Sequence, residues 1–377
     1  MTQQGTPLRY GILGCGMMGR EHIRNIQLLD NVEITVLAEP NAEMRELAHT
    51  LVPEATCVDD LDALMETNNV DAIVVATPNY QHAEQLLGML SRCSLPILIE
   101  KPICTRIEDV NLLLDAAATH PSPIWVAMEY RYMPPITKLL SLLDNGEVGQ
   151  RHLFSIREHR FPFLEKVDDW NRFNHKTGGT LVEKCCHFFD LMRLLTQANP
   201  VRVFGSGSQA VNHRDEQYDG QTPDILDNAF VTVEFGNGTR ASLELCMFAE
   251  GSRYQEEICA VGDAGKIECF VPGPGRFWPT ETLGEAPVSK VISSPRNPKG
   301  PKQMDVPVDP ELLEAGDHNG STFYQHQKFQ RAILGEQSVE VTLEDGLKAV
   351  VLGLAAQEAI KRHKVINITQ GGLGFEV

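Results

Sequence analysis

The chain has 377 residues, 42% of them hydrophobic and 22% charged, with a formal net charge of −18. That length and apolar content can bury an ample core and favour two domains over one. The acidic balance, with no long basic run, excludes nucleic acid and anionic membranes as partners, because both require clustered positive charge.

The start of the chain is polar through Pro7 and then enters a short apolar run, without the pattern of a signal peptide or a transmembrane span. The expected compartment is the cytoplasm. Nine cysteines in a chain of this kind read as reduced thiols rather than a disulfide scaffold. No CxxC pair or Cys/His cluster has zinc spacing, so no metal is expected.

Leu8 to Leu13 is a predicted strand, and Gly14-Cys15-Gly16-Met17-Met18-Gly19 follows it and opens a helical pattern. In such a turn the first glycine permits the tight bend, the second lets the backbone approach a pyrophosphate, and the third allows close helix–strand packing. The pyrophosphate would rest on the helix N-terminus, with Met17 and Met18 beside it. A second strand, Val32 to Ala38, ends at Glu39, where a carboxylate suits a free ribose 2'-hydroxyl and repels a 2'-phosphate. NAD is therefore favoured over NADP, with Arg45 the one feature on the NADP side. Outside this context Glu39 would read as an ordinary solvated acid.

Strand and helix continue to alternate: Asp71 to Ala76, the turn Thr77-Pro78-Asn79, a helix over Tyr80 to Leu90, and a strand Pro96 to Ile99. That strand ends in Glu100-Lys101-Pro102, and a helix Ile107 to Ala118 leads to a strand Ile124 to Met128. This is βαβ order, the signature of a parallel sheet whose ligands lie at the carboxyl ends of strands. Lys101 is thereby placed within reach of a nicotinamide, although a lysine at a strand end is commonly just solvated.

The pattern changes at Glu129-Tyr130, which sets the expected domain boundary: residues 1–129, then 130–377. After a helix Ile136 to Leu143 come alternating segments at Leu153 to His159, Val201 to Ser206, Ala229 to Phe235, Arg240 to Met247 and Glu257 to Val261. With turns such as Gly236-Asn237-Gly238 they predict a largely antiparallel sheet. One helix, Thr180 to Leu195, interrupts them and carries Glu183, His187 and Asp190 on one face. The stripe reads as a solvent-facing or core-satisfied set, or as catalytic groups. A metal site is disfavoured, because the face lacks a second histidine. Pro272 to Asp317 is Pro- and Gly-rich with little periodicity and reads as a long excursion covering a pocket or bridging subunits.

The residues from Gly14 to Gly19, Thr77-Pro78-Asn79 with His82, Glu100-Lys101-Pro102, Gly178-Gly179-Thr180 through Asp190, and Val341 to Gly346 together resemble the Gfo/Idh/MocA oxidoreductases. The resemblance implies an α/β fold. An N-terminal Rossmann doubly wound parallel sheet would precede a C-terminal α/β domain with a large, mostly antiparallel open sheet, whose outer face would support a homodimer or homotetramer. It places His82 and Glu100 with the cofactor-binding residues and makes Lys101 and His187 line the substrate pocket. Glu183 stands where relatives usually carry aspartate, and Lys184 and Cys185 also depart from the usual pattern.

Oxidation of a secondary alcohol needs a base for the hydroxyl proton and a cation for the oxygen. His187 is the expected base, Lys101 the expected cation, and Glu183 the group that orients substrate or imidazole, while Asp190 is expected to support the helix. A lowered pKa would let Lys101 share the work of the base. Tyr130, Arg160, Trp170, Asn174 and His175 are the further candidates for contact with a carbohydrate or polyol, most of them in the polar segment Arg157 to Lys176. The alternative for that segment is a surface loop with Trp170 packed on its own core. His318 to Tyr324 begins a helix that can border the pocket. Three functions compete: an NAD(P)-dependent sugar or polyol dehydrogenase, an NAD-dependent glycoside hydrolase acting by transient oxidation, and a non-catalytic NAD-binding sensor.

Overall fold

The computed structural model describes residues 6–377; residues 1–5, the start of the polar lead, lie outside the described residues. The first half builds β1 (Leu8–Leu13), α1 (Met17–Ile26), β2 (Val32–Ala38), α2 (Ala42–His49), β3 (Thr56–Val58) and α3 (Leu61–Glu66). It continues with β4 (Ala72–Val75), α4 (Asn79–Leu90), β5 (Ile97–Ile99), α5 (Asp109–Ala117) and β6 (Ile124–Val126). The strands form one parallel sheet in the order β3-β2-β1-β4-β5-β6. Chain order reverses between β1 and β4, so α1 and α4 leave on opposite sides of a crevice at the carboxyl ends of the strands. The central strands are apolar throughout because both sheet faces are covered; Ala72–Val75 is fully buried.

After α6 (Pro134–Asp144) the chain enters β7 (Arg151–His159), and three helices follow: α7 (Asn174–Thr177), α8 (Thr180–Glu183) and α9 (Cys186–Thr196). The single helix expected over Thr180 to Leu195 is thus two, broken at Lys184-Cys185. There the Cys185 N–H reaches back five residues to the Thr180 carbonyl, at 3.4 Å, and the regular ladder is lost. Next come β8 (Pro200–Ser208), β9 (Asn228–Phe235), β10 (Arg240–Cys246), β11 (Glu256–Gly262) and β12 (Gly265–Val271).

The Pro- and Gly-rich segment is not structureless: it contains α10 (Thr280–Leu283), β13 (Lys290–Pro295), β14 (Lys302–Asp305) and α11 (Pro310–Ala315). Its two strands extend the sheet edge beyond β12, which satisfies their backbone groups despite the weak side-chain pattern. The chain ends with α12 (Ser321–Ile333), α13 (Leu343–Arg362), β15 (Ile366–Thr369) and β16 (Gly374–Glu376).

The second sheet has ten strands in the order β14-β13-β12-β11-β7-β10-β9-β8-β15-β16, with only β7 and β10 parallel. One face packs on α6, α9 and α13, and the opposite face leaves Leu153, Phe204 and Phe230 exposed. Among the described residues, no helix is long and apolar enough to cross a membrane. All nine cysteines are free thiols.

Candidate active site

A cleft of about 960 Å³ lies at the carboxyl ends of the parallel strands, walled by Gly14, Gly16, Met17, Met18, Glu39, Thr77, Pro78 and Asn79. His82, Glu100 and Lys101 complete its inner wall. Gly14 has φ +91°, and a Cβ there would lie 2.7 Å from the Ala76 and Thr77 backbone. A Cβ on Gly16 would meet no protein atom, so the missing side chain leaves room on the cleft side. Gly19 stands behind the wall, where a Cβ would lie 2.0 Å from the Gly14 carbonyl oxygen; it shapes the turn rather than lining the cleft.

The start of α1 has no side-chain cap and no acid in its first turn, so its free N–H groups suit a pyrophosphate. Glu39 accepts hydrogen bonds from the N–H groups of Cys15 (2.7 Å) and Asn41 (2.9 Å), which fixes its carboxylate at the cleft edge. Arg45 is engaged by the Glu39 carbonyl and Asp59 and is absent from the cleft wall. Asn79 brings a buried amide nitrogen with no partner to the same wall, a donor that a bound dinucleotide can satisfy. These features fit the cofactor suggested by the glycine turn.

Two expected cofactor ligands are spent within the protein. His82 sets its ring nitrogens 2.7 Å from the Pro102 carbonyl and 2.8 Å from that of Thr77, tying the two turns together. Glu100 lies 2.9 Å from His22 and accepts the Lys101 N–H at 3.1 Å, while His22 meets His326 at 2.8 Å.

A second cavity of about 110 Å³ adjoins the cleft, and Met17, Met18, Lys101, Leu164, Lys166 and Glu183 wall both. His187, Tyr130, Arg160, Lys184, Glu256 and His318 also line it. The ammonium of Lys101 donates to the Glu183 carbonyl at 3.2 Å. Burial disfavours its charge, but Cys186, Glu100, Glu129 and Glu183 more than offset that, and its pKa is raised rather than lowered. Lys101 is therefore a fixed cation.

Burial pushes the Glu183 carboxyl up to about 7 against the pull of Lys101 and Lys166, and one of its oxygens has no hydrogen-bond partner. His187 is held well below the ordinary histidine range, first by burial and then by Lys101 and Lys184, so it is neutral. Its Nδ1 has no partner, and Tyr130 stacks on the ring at 4.1 Å with an interplanar angle of 9°.

The sequence matches the family described as "Oxidoreductase family, NAD-binding Rossmann fold" over residues 8–128 and "Oxidoreductase family, C-terminal alpha/beta domain" over residues 141–368. The chain belongs to the Gfo/Idh/MocA oxidoreductase family. It is 26% identical to the uncharacterized oxidoreductase YrbE of Bacillus subtilis (strain 168), across 95% of this chain and 96% of that protein. It is 22% identical to the myo-inositol 2-dehydrogenase of Thermotoga maritima, across 96% and 99%. Its fold matches a levoglucosan dehydrogenase solved with NADH and levoglucosan, with a TM-score of 0.79 at 19% identity, covering 97% of this chain and 100% of that one.

In this Gfo/Idh/MocA chain the remaining candidates separate. Trp170 lines the cofactor cleft and meets Tyr80 edge-on at 6.3 Å, and it is absent from the second cavity. Asn174 and His175 line neither: Asn174 binds the Asp224 backbone at 2.7 Å, and the exposed His175 leans on Phe173. The short α7 turns both away from the cavities. Asp190 forms a two-pronged ion pair with Arg131, as a support for the helix should.

Lys184 has a structural partner, the fully buried Glu158 at 2.9 Å, and it also donates to the Tyr130 hydroxyl. The groups that sequence reasoning missed are Glu129, Lys166, Glu158 and Glu256, and His318 proves to line the second cavity. A signal existed for two of them. Glu158 follows Phe154 and Ile156 on the inward face of β7, and Glu256 begins the inward face of β11 with Ile258.

Proposed function

We propose that this chain is an NAD-dependent dehydrogenase that oxidises a secondary alcohol of a sugar, inositol or related polyol. The observation that supports this most is that Lys101 and Glu183 stand where the dinucleotide cleft opens into the cavity lined by His187. When bound, the nicotinamide supplies the acceptor for a hydride from the carbinol carbon.

The protein's own groups do the rest. Neutral His187 offers an unpartnered, buried Nδ1 that a substrate hydroxyl can satisfy, and it takes the hydroxyl proton as the carbon is oxidised. Lys101 stays charged and steadies the oxygen as it gains negative character. Glu183 orients the substrate through its unpartnered oxygen. The preference for NAD rests on the Glu39 carboxylate, pinned at the cleft edge by two backbone N–H groups, with Arg45 directed elsewhere.

The test is a screen of neutral sugars, inositols, sugar acids and glycosides in which NADH absorbance and product release are followed together. Accumulating NADH with a ketone product supports the proposal. Aglycone release without net NADH would transfer the site to redox-assisted glycoside cleavage, and NAD binding without any turnover would make the chain a sensor.

A further inference from the structure

We infer that the substrate carries a carboxylate on its polyol framework and that Arg160 and Lys166 receive it; this rests on the dehydrogenase reading above. In a chain of net charge −18, the second cavity is walled by Lys101, Arg160, Lys166, Lys184, Arg276 and His318. The acids in the same wall are Glu183, Glu256 and Asp317.

Most of these cations already have partners. Lys184 is paired with Glu158 at 2.9 Å, His318 with Glu21 at 2.6 Å, Arg276 with Asp317, and Lys101 with the Glu183 carbonyl at 3.2 Å. Two remain unspent. Among the described residues, Lys166 has no carboxylate within 4.0 Å and no hydrogen-bond partner. Arg160 has the Phe161 carbonyl at 3.2 Å, the Phe161 ring face at 4.4 Å and a loose approach, 3.6 Å, to the Glu158 that Lys184 already holds, so no carboxylate is its own.

Both lie in the segment that follows β7. Arg160 is mostly buried, with 12% of its side chain exposed, and Lys166 is half-buried, with burial lowering its pKa. A buried, unpaired cation is costly, and a neutral polyol would leave that cost in place. A carboxylate would offset it, and its planar pair of oxygens matches the spare edge of the guanidinium. The cofactor's phosphates do not explain Arg160, since the free helix N-terminus lies in the cleft and Arg160 is absent from the cleft wall, while Lys166 borders both spaces.

The experiment compares D-gluconate with D-glucitol, which differ at one end by carboxylate against hydroxymethyl, in calorimetric titrations of the protein saturated with NADH. Gluconate should bind at least about tenfold more tightly, an advantage that shrinks with added salt. Lys166→Met and Arg160→Gln should each lower gluconate affinity about tenfold, and Lys166→Arg should restore most of it. Equal affinities, or no gluconate binding, would overturn the inference. So would tighter binding of D-glucose 6-phosphate, which would assign the site to phosphate, or a Lys166→Met loss that falls on NADH alone. These results are independent of turnover: if no polyol of any charge yields NADH, the dehydrogenase reading fails while the titrations still decide whether the cavity takes a carboxylate.

Discussion

His187 and Glu129 face each other across 3.6 Å, imidazole Nε2 to carboxylate oxygen, with both side chains almost wholly buried. Neither Glu129 oxygen has a hydrogen-bond partner, and burial together with nearby Glu100 raises its pKa to about 7. His318 approaches the same oxygen at 4.0 Å, with 21% of its side chain exposed. On the proposed path, a proton taken up by His187 therefore has an adjacent acceptor in Glu129. Glu129→Gln should lower kcat about 10- to 100-fold while changing KM much less. An unchanged kcat would remove Glu129 from the proton path.

Lys101→Met and His187→Ala should each lower kcat by about 10²- to 10⁴-fold. NADH affinity, read from its fluorescence, should move little in the His187 variant, because that residue lines the second cavity and not the cofactor cleft. The double variant should lose no more than the worse single one by a large factor if the two act on one oxygen. Full turnover in the double variant would dismiss the proposed roles.

Glu183 and Glu129 each titrate near neutrality, both pushed up to about 7 chiefly by burial. Above that range they are carboxylates able to accept protons or hydroxyl hydrogens; below it they are neutral acids. For alcohol oxidation kcat/KM should rise with pH through the region near 7 in which both carboxyls lose their protons. Glu183→Gln should reduce the rise, and only the double variant with Glu129→Gln should be flat. A rise surviving in the double variant would assign it to other groups.

The glycine turn offers a separation of folding from binding. A Cβ at Gly19 would lie 2.0 Å from the Gly14 carbonyl, whereas one at Gly16 meets nothing in the protein within 4 Å. Gly19→Ala should therefore lower the melting temperature and weaken NAD binding together. Gly16→Ala should melt within a degree or so of the parent, a surface-like effect, yet bind NAD at least about tenfold more weakly. Undiminished NAD affinity in Gly16→Ala would argue that the pyrophosphate does not pass over this residue.

The Glu21–His318 pair gives a pH-dependent stability term. Burial opposes charge on His318, but Glu21 at 2.6 Å outweighs it and raises the histidine to about 9. Glu21 in turn is held below the ordinary carboxyl range of 4.5 despite burial, by His318. The histidine contribution is complete below its ordinary pKa of 6.5 and is lost as pH rises through about 9. The glutamate contribution is present above 4.5 and is lost as pH falls through its lowered value. His318→Gln should thus cost roughly 1–3 kcal/mol at about pH 6 and distinctly less at about pH 9.5. Equal losses in thermal melts at both pH values would reduce the pair to packing.

Where side-chain period and turn chemistry agree, the architecture is readable without coordinates. The glycine turn, Glu39 at the end of β2 and Lys101 at the end of β5 all follow from apolar runs punctuated by Gly and Pro. Short or weakly patterned strands escape that logic. Thr56–Val58 is three residues with two exposed, and Lys290–Pro295 and Lys302–Asp305 sit in a Pro-rich stretch where backbone pairing, not side-chain burial, makes them strands. In the site, Lys101, Glu183 and His187 were visible as motif residues. Glu129 and Lys166 were not, because their significance comes from partners, or the lack of them, contributed by distant segments. Glu158 and Glu256 lie directly opposite on neighbouring strands, a like-charge pairing relieved by the Lys184 ammonium on Glu158 and by burial that raises the Glu256 carboxyl to about 7. Asn174 and His175 had the composition of sugar ligands, but the short helix they form points elsewhere.

The helix that opens at the nucleotide turn is clasped by residues from the far end of the chain: His22 meets His326 and Glu21 meets His318, separations of 304 and 297 positions. A ribosome that has made the whole Rossmann half has not yet supplied either clasp. The helix is thus fully clasped only late in synthesis, and truncations after β14 should yield a nucleotide domain whose first helix exposes an unpaired Glu21, while His22 keeps Glu100 as its one remaining partner.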